Sequence, residues 1–118
     1  MQTTVYGFNQ KSLIELELDA IDTLILRYFV DFIEGAKFET KVIDKKIYYW
    51  VPYDEVLDHL PILNMKKYTV QSRFFKLRDL GILTHYVHRK SGTYSYFGIG
   101  KNFRKLLGSK KYSSLTKS

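Results

Sequence analysis

Apolar positions along the chain change their period several times, and each change predicts an element. Residues 1–12 show no period and read as an irregular lead-in. Residues 13–18, Leu-Ile-Glu-Leu-Glu-Leu, partly alternate apolar and acidic positions, which predicts a short strand. Ile21, Leu24, Ile25, Tyr28, Phe29 and Phe32 then recur at spacings of three and four, one apolar face of a helix. Asp19 and Asp22 suit its N-terminus, and Gly35 its end. Residues 36–46 are polar and turn-like around Asp44-Lys45-Lys46. Residues 47–51, Ile-Tyr-Tyr-Trp-Val, are β-branched and aromatic and predict a strand that Pro52 stops.

The second half is more regular. Pro52, Asp54 and Glu55 favour a helix start, Val56, Leu57 and Leu60 give it an inward face, and Pro61 closes it. Residues 61–65 connect it to a longer helix that begins between Lys66 and Thr69 and ends at Leu80, with Val70, Phe74 and Leu77 turned to the core and Gly81 as terminator. Residues 82–88 and 94–99 read as the arms of a β-hairpin around Arg89-Lys90-Ser91-Gly92-Thr93. Residues 102–107 predict one or two helical turns. Residues 108–118 have the composition of a basic tail or linker.

Charge separates the two halves. Residues 1–60 carry 6 Lys/Arg and 11 Asp/Glu, whereas residues 61–118 carry 13 Lys/Arg and a single acid, Asp79. The formal net charge is +7. A cationic half that remains rich in core-type residues predicts a polyanionic partner. With 118 residues the chain is one domain over 1–107 plus the tail. It has no cysteine, which excludes disulfides, thiolate metal sites and a cysteine nucleophile, and agrees with a cytoplasmic setting. No apolar run approaches a membrane span, and residues 1–10 lack the pattern of a signal peptide.

Helix, strand, helix, turn, helix, strand, basic turn, strand is the element order of a winged helix-turn-helix domain, an α+β fold. It has a three-helix core and a β-hairpin wing. In that arrangement the third helix buries one face and leaves its polar face for a major groove, while the wing reaches a neighbouring phosphate or minor groove. Residues 69–83, Thr-Val-Gln-Ser-Arg-Phe-Phe-Lys-Leu-Arg-Asp-Leu-Gly-Ile-Leu, resemble the recognition helix and following strand of many bacterial winged-helix proteins.

A narrower resemblance rests on Tyr6-Gly7-Phe8-Asn9-Gln10, Tyr48-Tyr49-Trp50-Val51, Leu60-Pro61-Ile62-Leu63, Lys66-Lys67 and Ser91-Gly92-Thr93-Tyr94-Ser95-Tyr96-Phe97. Over residues 6–107 the chain looks like the N-terminal winged helix of replication initiator, or replisome-organiser, proteins of phages and mobile elements of Gram-positive bacteria. The resemblance implies binding of origin DNA in replication initiation. The alternatives are a small accessory subunit that docks on a polymerase, primase or helicase, and a transcriptional regulator.

Candidate contacts follow from the element placement. Lys66, Lys67 and Tyr68 open the third helix, whose N-terminus attracts phosphate. Thr69, Gln71, Ser72, Arg73 and Lys76 lie on its polar face, Arg73 being able to bond a guanine edge with two donors. Arg89 and Lys90 at the wing tip suit backbone phosphates. Tyr94 offers base or sugar stacking, against the competing reading that it and Tyr96 pack within the hairpin. Phe75, Tyr48, Tyr49 and Trp50 are candidates for a protein interface, although Phe75 can equally pack under the wing. The expected partner is double-stranded DNA, with single strands and a replication enzyme as alternatives, and no membrane or small-molecule ligand. Nothing in the sequence sets the oligomeric state.

No enzyme constellation stands out. The glycines are scattered and form no phosphate-binding loop. The carboxylates do not cluster as a two-metal nuclease requires. His85 and His88, three apart on a strand, point to opposite faces and make a poor metal site, with His59 distant. Glu15 and Glu17 read as a solvated edge. The expectation is a non-catalytic binding domain without metal or cofactor.

Overall fold

The computed structural model describes residues 3–35 and 38–107. The chain is α+β. The described residues form four α-helices, a four-stranded antiparallel sheet and a small separate hairpin. That hairpin pairs β1 (Thr4–Val5) with β2 (Phe8–Asn9), its tight turn made by Tyr6 and Gly7 at positive φ. Asn9 then caps α1 (Gln10–Glu15), its side-chain oxygen accepting the Ser12 N–H at 2.9 Å. The lead-in is therefore structured, and the first half of the strand expected at 13–18 is helix instead, the rest turn and coil. Leu13 is the buried residue of α1, and Leu18 enters the core beyond its end. The Leu/Glu alternation misleads because the segment is too short to separate the two periods.

The long helix α2 (Ala20–Glu34) is set by its first turn. Asp19 accepts the Asp22 N–H at 2.8 Å and Asp22 accepts the Asp19 N–H at 3.1 Å, a reciprocal capping box. Ile25, Leu26 and Phe29 are fully buried on its inward face. β3 (Thr40–Ile43) and β4 (Lys46–Trp50) follow, joined by Asp44 and Lys45, both at positive φ. The sequence expectation finds the turn but not the strand before it. Thr40-Lys41-Val42-Ile43 becomes a strand because β4 pairs with it along its whole length.

α3 (Tyr53–His59) and a single 3₁₀ turn (Pro61–Leu63) lead to α4 (Lys67–Asp79). β5 (Leu83–Arg89) and β6 (Thr93–Ile99) form the expected hairpin, and Phe103–Leu106 make a 3₁₀ turn. The strand order is β3-β4-β6-β5. One face of this sheet lies on the helices. Phe97 of β6 sits against Phe74 of α4 at a ring distance of 5.0 Å, and Tyr49 of β4 meets Phe29 of α2 edge-on at 6.1 Å. Val70, Phe74 and Leu77 are fully buried, as their spacing predicts. Among the described residues no helix is long and apolar enough to cross a membrane. The tail expected at 108–118 lies outside the described residues.

Candidate nucleic-acid interface

The N-terminal half of α4 and the turn end of the β5–β6 hairpin share a cleft. Its walls include Trp50, Tyr53, Asp54, Lys67, Gln71, Thr93, Tyr94 and Ser95. α4 begins without a side-chain cap on Lys66, so its first backbone N–H groups are left for another acceptor. Lys66, Lys67 and Ser72 are exposed, and Tyr68 is 66% exposed. Thr69 and Gln71 are half-buried. Among the described residues Lys67 pairs with Asp54 at 3.5 Å, a weak pair between two solvated side chains. Arg89 and Lys90 are exposed at the far end of the hairpin, which Ser91 and Gly92 turn at positive φ.

Two of the predicted contact residues are engaged within the protein. Arg73 and Lys76 are not on an open face, because both are drawn to acids at the start of α2. The Arg73 guanidinium donates to Asp19 at 2.7 Å and to Asp22 at 2.9 Å, and the Lys76 ammonium donates to Asp22. Asp22 is wholly buried, while the Arg73 side chain is 24% exposed. Hydrogen bonds to Asp19 and Asp22 raise the Arg73 pKa. Burial pushes the Asp19 carboxyl up, but the Asp22 backbone N–H and Arg73 outweigh it and hold it at about 2. These cations fasten α4 to α2. A buried carboxylate must be paired, and Asp22 sits where a helix start needs an acid; its pairing was legible only as capping.

The aromatic candidates divide by strand alternation. Tyr49 faces the helices and belongs to the core side. Tyr48 and Trp50 face the opposite side of the sheet. Phe75 is not an open interface residue. It packs against His85 at 5.2 Å and Phe97 at 6.5 Å, with the Arg78 guanidinium 4.4 Å over its ring. His85 stacks on Phe97 at 4.6 Å, and burial, followed by Arg78, lowers its pKa. His88 faces away, toward Tyr94 and Tyr96. Tyr94 lies edge-on to Trp50 at 5.7 Å, and Tyr96 is buried within the hairpin.

No group of three His, Cys, Asp or Glu side chains among the described residues could hold a metal ion. A larger apolar groove lies at the opposite end, between the C-terminal part of α2 and residues 99–107, lined by Val30, Ile33, Tyr49, Ile99, Phe103 and Leu107. Comparison with known proteins gives no match to a family model, a curated protein or a solved structure.

Proposed function

We propose that the chain is a nucleic-acid-binding domain of the winged helix-turn-helix type. In this reading the α3–α4 pair is the helix-turn-helix and the β5–β6 hairpin the wing. The carrying observation is the cleft that joins the N-terminal turns of α4 to the turn end of that hairpin, with Lys67 in its wall, Lys66 beside it, and Arg89 and Lys90 at the adjoining turn. A duplex laid across it meets cations on both flanks, an uncapped helix N-terminus, and Gln71 and Ser72 as the base-reading groups. The strand order supports the same reading, since β4 beside β6 fixes the wing onto the helical core.

The contact set differs from the one the sequence suggests. Arg73 and Lys76 hold Asp22, so their removal disturbs the fold before it informs on DNA. The replication setting rests on the resemblance to phage and mobile-element initiators and enters here as part of the proposal.

The test is a titration of a short labelled duplex against the wild type and a Lys66→Glu, Lys90→Glu variant checked by circular dichroism. The expected result is a loss of affinity of at least about tenfold in the variant. Equal affinity of the two proteins would sink the interface. Protection of an origin, and not of a promoter, in a footprint would carry the replication role.

A further inference from the structure

The sheet has a second face, turned away from the helices. The register puts Lys41 of β3 opposite Tyr48 of β4, Trp50 opposite Tyr96 of β6, Tyr96 opposite Tyr86 of β5, and Tyr94 opposite His88. These side chains share this face. Their rings touch one another: Tyr48 meets Tyr86 at 5.9 Å, Tyr86 meets Tyr96 at 6.3 Å, His88 meets Tyr96 and Tyr94 at 6.4 Å, and Trp50 meets Tyr94 at 5.7 Å. The Lys41 ammonium lies 5.8 Å over the Tyr96 ring. Gly98 is buried on this face and lets its neighbours close over the strand. A Cβ there would come within 2.7 Å of the Ile47 carbonyl oxygen and 2.8 Å of the Thr84 hydroxyl. The Tyr48 and Tyr86 rings meet across this bare strand position.

We propose that this face is a stacking track for an unpaired polynucleotide strand, entering the cleft at Trp50 and Tyr94. The rings are Tyr, Trp and His, flat faces with polar tips on which successive bases can stack, and the charge around them selects the occupant. Tyr48, Trp50, Tyr86, His88 and Tyr94 remain partly exposed. Charge agrees with a polyanion. Lys41 and Lys46 lie on the face, Lys67 in the cleft, and Arg89 and Lys90 at the hairpin's end. Three acids share the neighbourhood: Glu39 beside the Tyr96 hydroxyl, Asp44 at the β3–β4 turn, and Asp54, which is paired with Lys67. Four strands side by side span roughly 15 Å, room for about two or three bases.

The inference rests on the nucleic-acid reading above and shares its cleft, but the tested rings Tyr48 and Tyr86 are not among the residues that line that cleft, so the two fail separately. Trp50 is the only tryptophan and reports stacking directly. The probe is an oligothymidylate of about 12 nucleotides, titrated beside the duplex. The expected result is binding with quenching of Trp50 emission. A Tyr48→Leu, Tyr86→Leu variant should bind the single strand about tenfold or more weakly and the duplex as wild type does. Tyr86→Phe keeps the ring and should bind the single strand as wild type does, whereas Tyr86→Leu alone should weaken it; this pair decides if the double variant does not fold, and equal binding of the two overturns the track. Duplex binding without single-strand binding or quenching overturns the track alone. Single-strand binding with quenching but no duplex binding supports the track and overturns the helix-and-wing interface. Self-association through this face, seen by sedimentation and lost in Tyr48→Leu, would also overturn it, with a second copy as the occupant.

Discussion

Asp22 decides how α4 is used. Its carboxylate, wholly out of water, closes the capping box of α2 and takes donors from the partly exposed Arg73 and Lys76. Asp22→Asn keeps the shape but leaves two cations facing a neutral amide. Breaking a buried pair in this way is expected to lower unfolding stability by about 3 kcal/mol, read as a shift of the urea midpoint. Asp19 adds a pH dependence. Folding depresses its pKa from 3.8 to about 2, so the folded state holds this proton less tightly than the unfolded chain. Its contribution is complete above the ordinary value and is lost as pH falls toward 2. Asp19→Asn should therefore flatten the stability profile below pH 4, measured by thermal unfolding at constant ionic strength. The sequence made Asp19 and Asp22 legible as helix-start residues. It could not reveal that Arg73 answers them across 54 and 51 positions, because that partnership depends on how two helices cross.

Elements were legible where period and stop signals agree. α2 and α4 have three- and four-residue spacings bounded by Asp19, Gly35 and Gly81, and they run where those signals put them. The end of α4 shows why. The Ile82 N–H donates to the Leu77 carbonyl and the Gly81 N–H to the Arg78 carbonyl, with Gly81 at φ +74. A side chain at Gly81 meets both the left-handed backbone penalty and the Asn102 amide, 2.7 Å from the added Cβ. Gly81→Ala is expected to destabilise by about 1–2 kcal/mol, seen in the same denaturant titration, with the hairpin's amides losing hydrogen-exchange protection first. β3 and α1 were not legible for a shared reason. Each is short and takes its state from a neighbour: β3 from the strand it pairs with, and α1 from the Asn9 cap and the burial of Leu13.

At the scale of the whole molecule, charge and topology act together. The cationic half supplies α4 and the hairpin, and the acidic half supplies α2, so part of the charge asymmetry is consumed in joining them. Four cations, Lys66, Lys67, Arg89 and Lys90, remain for the duplex surface. A wild-type salt dependence with a log–log slope of about −3.6 follows, falling to about −2 when two are reversed. The duplex titration repeated at several salt concentrations measures both. The α+β class was legible from element order, and the cationic hairpin tip from composition. The outer face of the sheet was only half legible. Tyr48, Trp50 and Tyr94 stood out singly, but their union required the β4–β6 pairing, which joins positions more than 40 residues apart.

The clasp on Asp22 also bears on the kinetics of recognition. Arg73 and Lys76 are long side chains whose freedom is already gone in the unbound protein, and α4 is held at both its flank and its C-terminus. A partner therefore meets a helix already fixed in place, and the ordering left to lose on contact is that of the exposed Lys66, Lys67, Arg89 and Lys90 side chains. Association should proceed as the docking of preformed shapes, its speed governed by charge steering and not by a folding step.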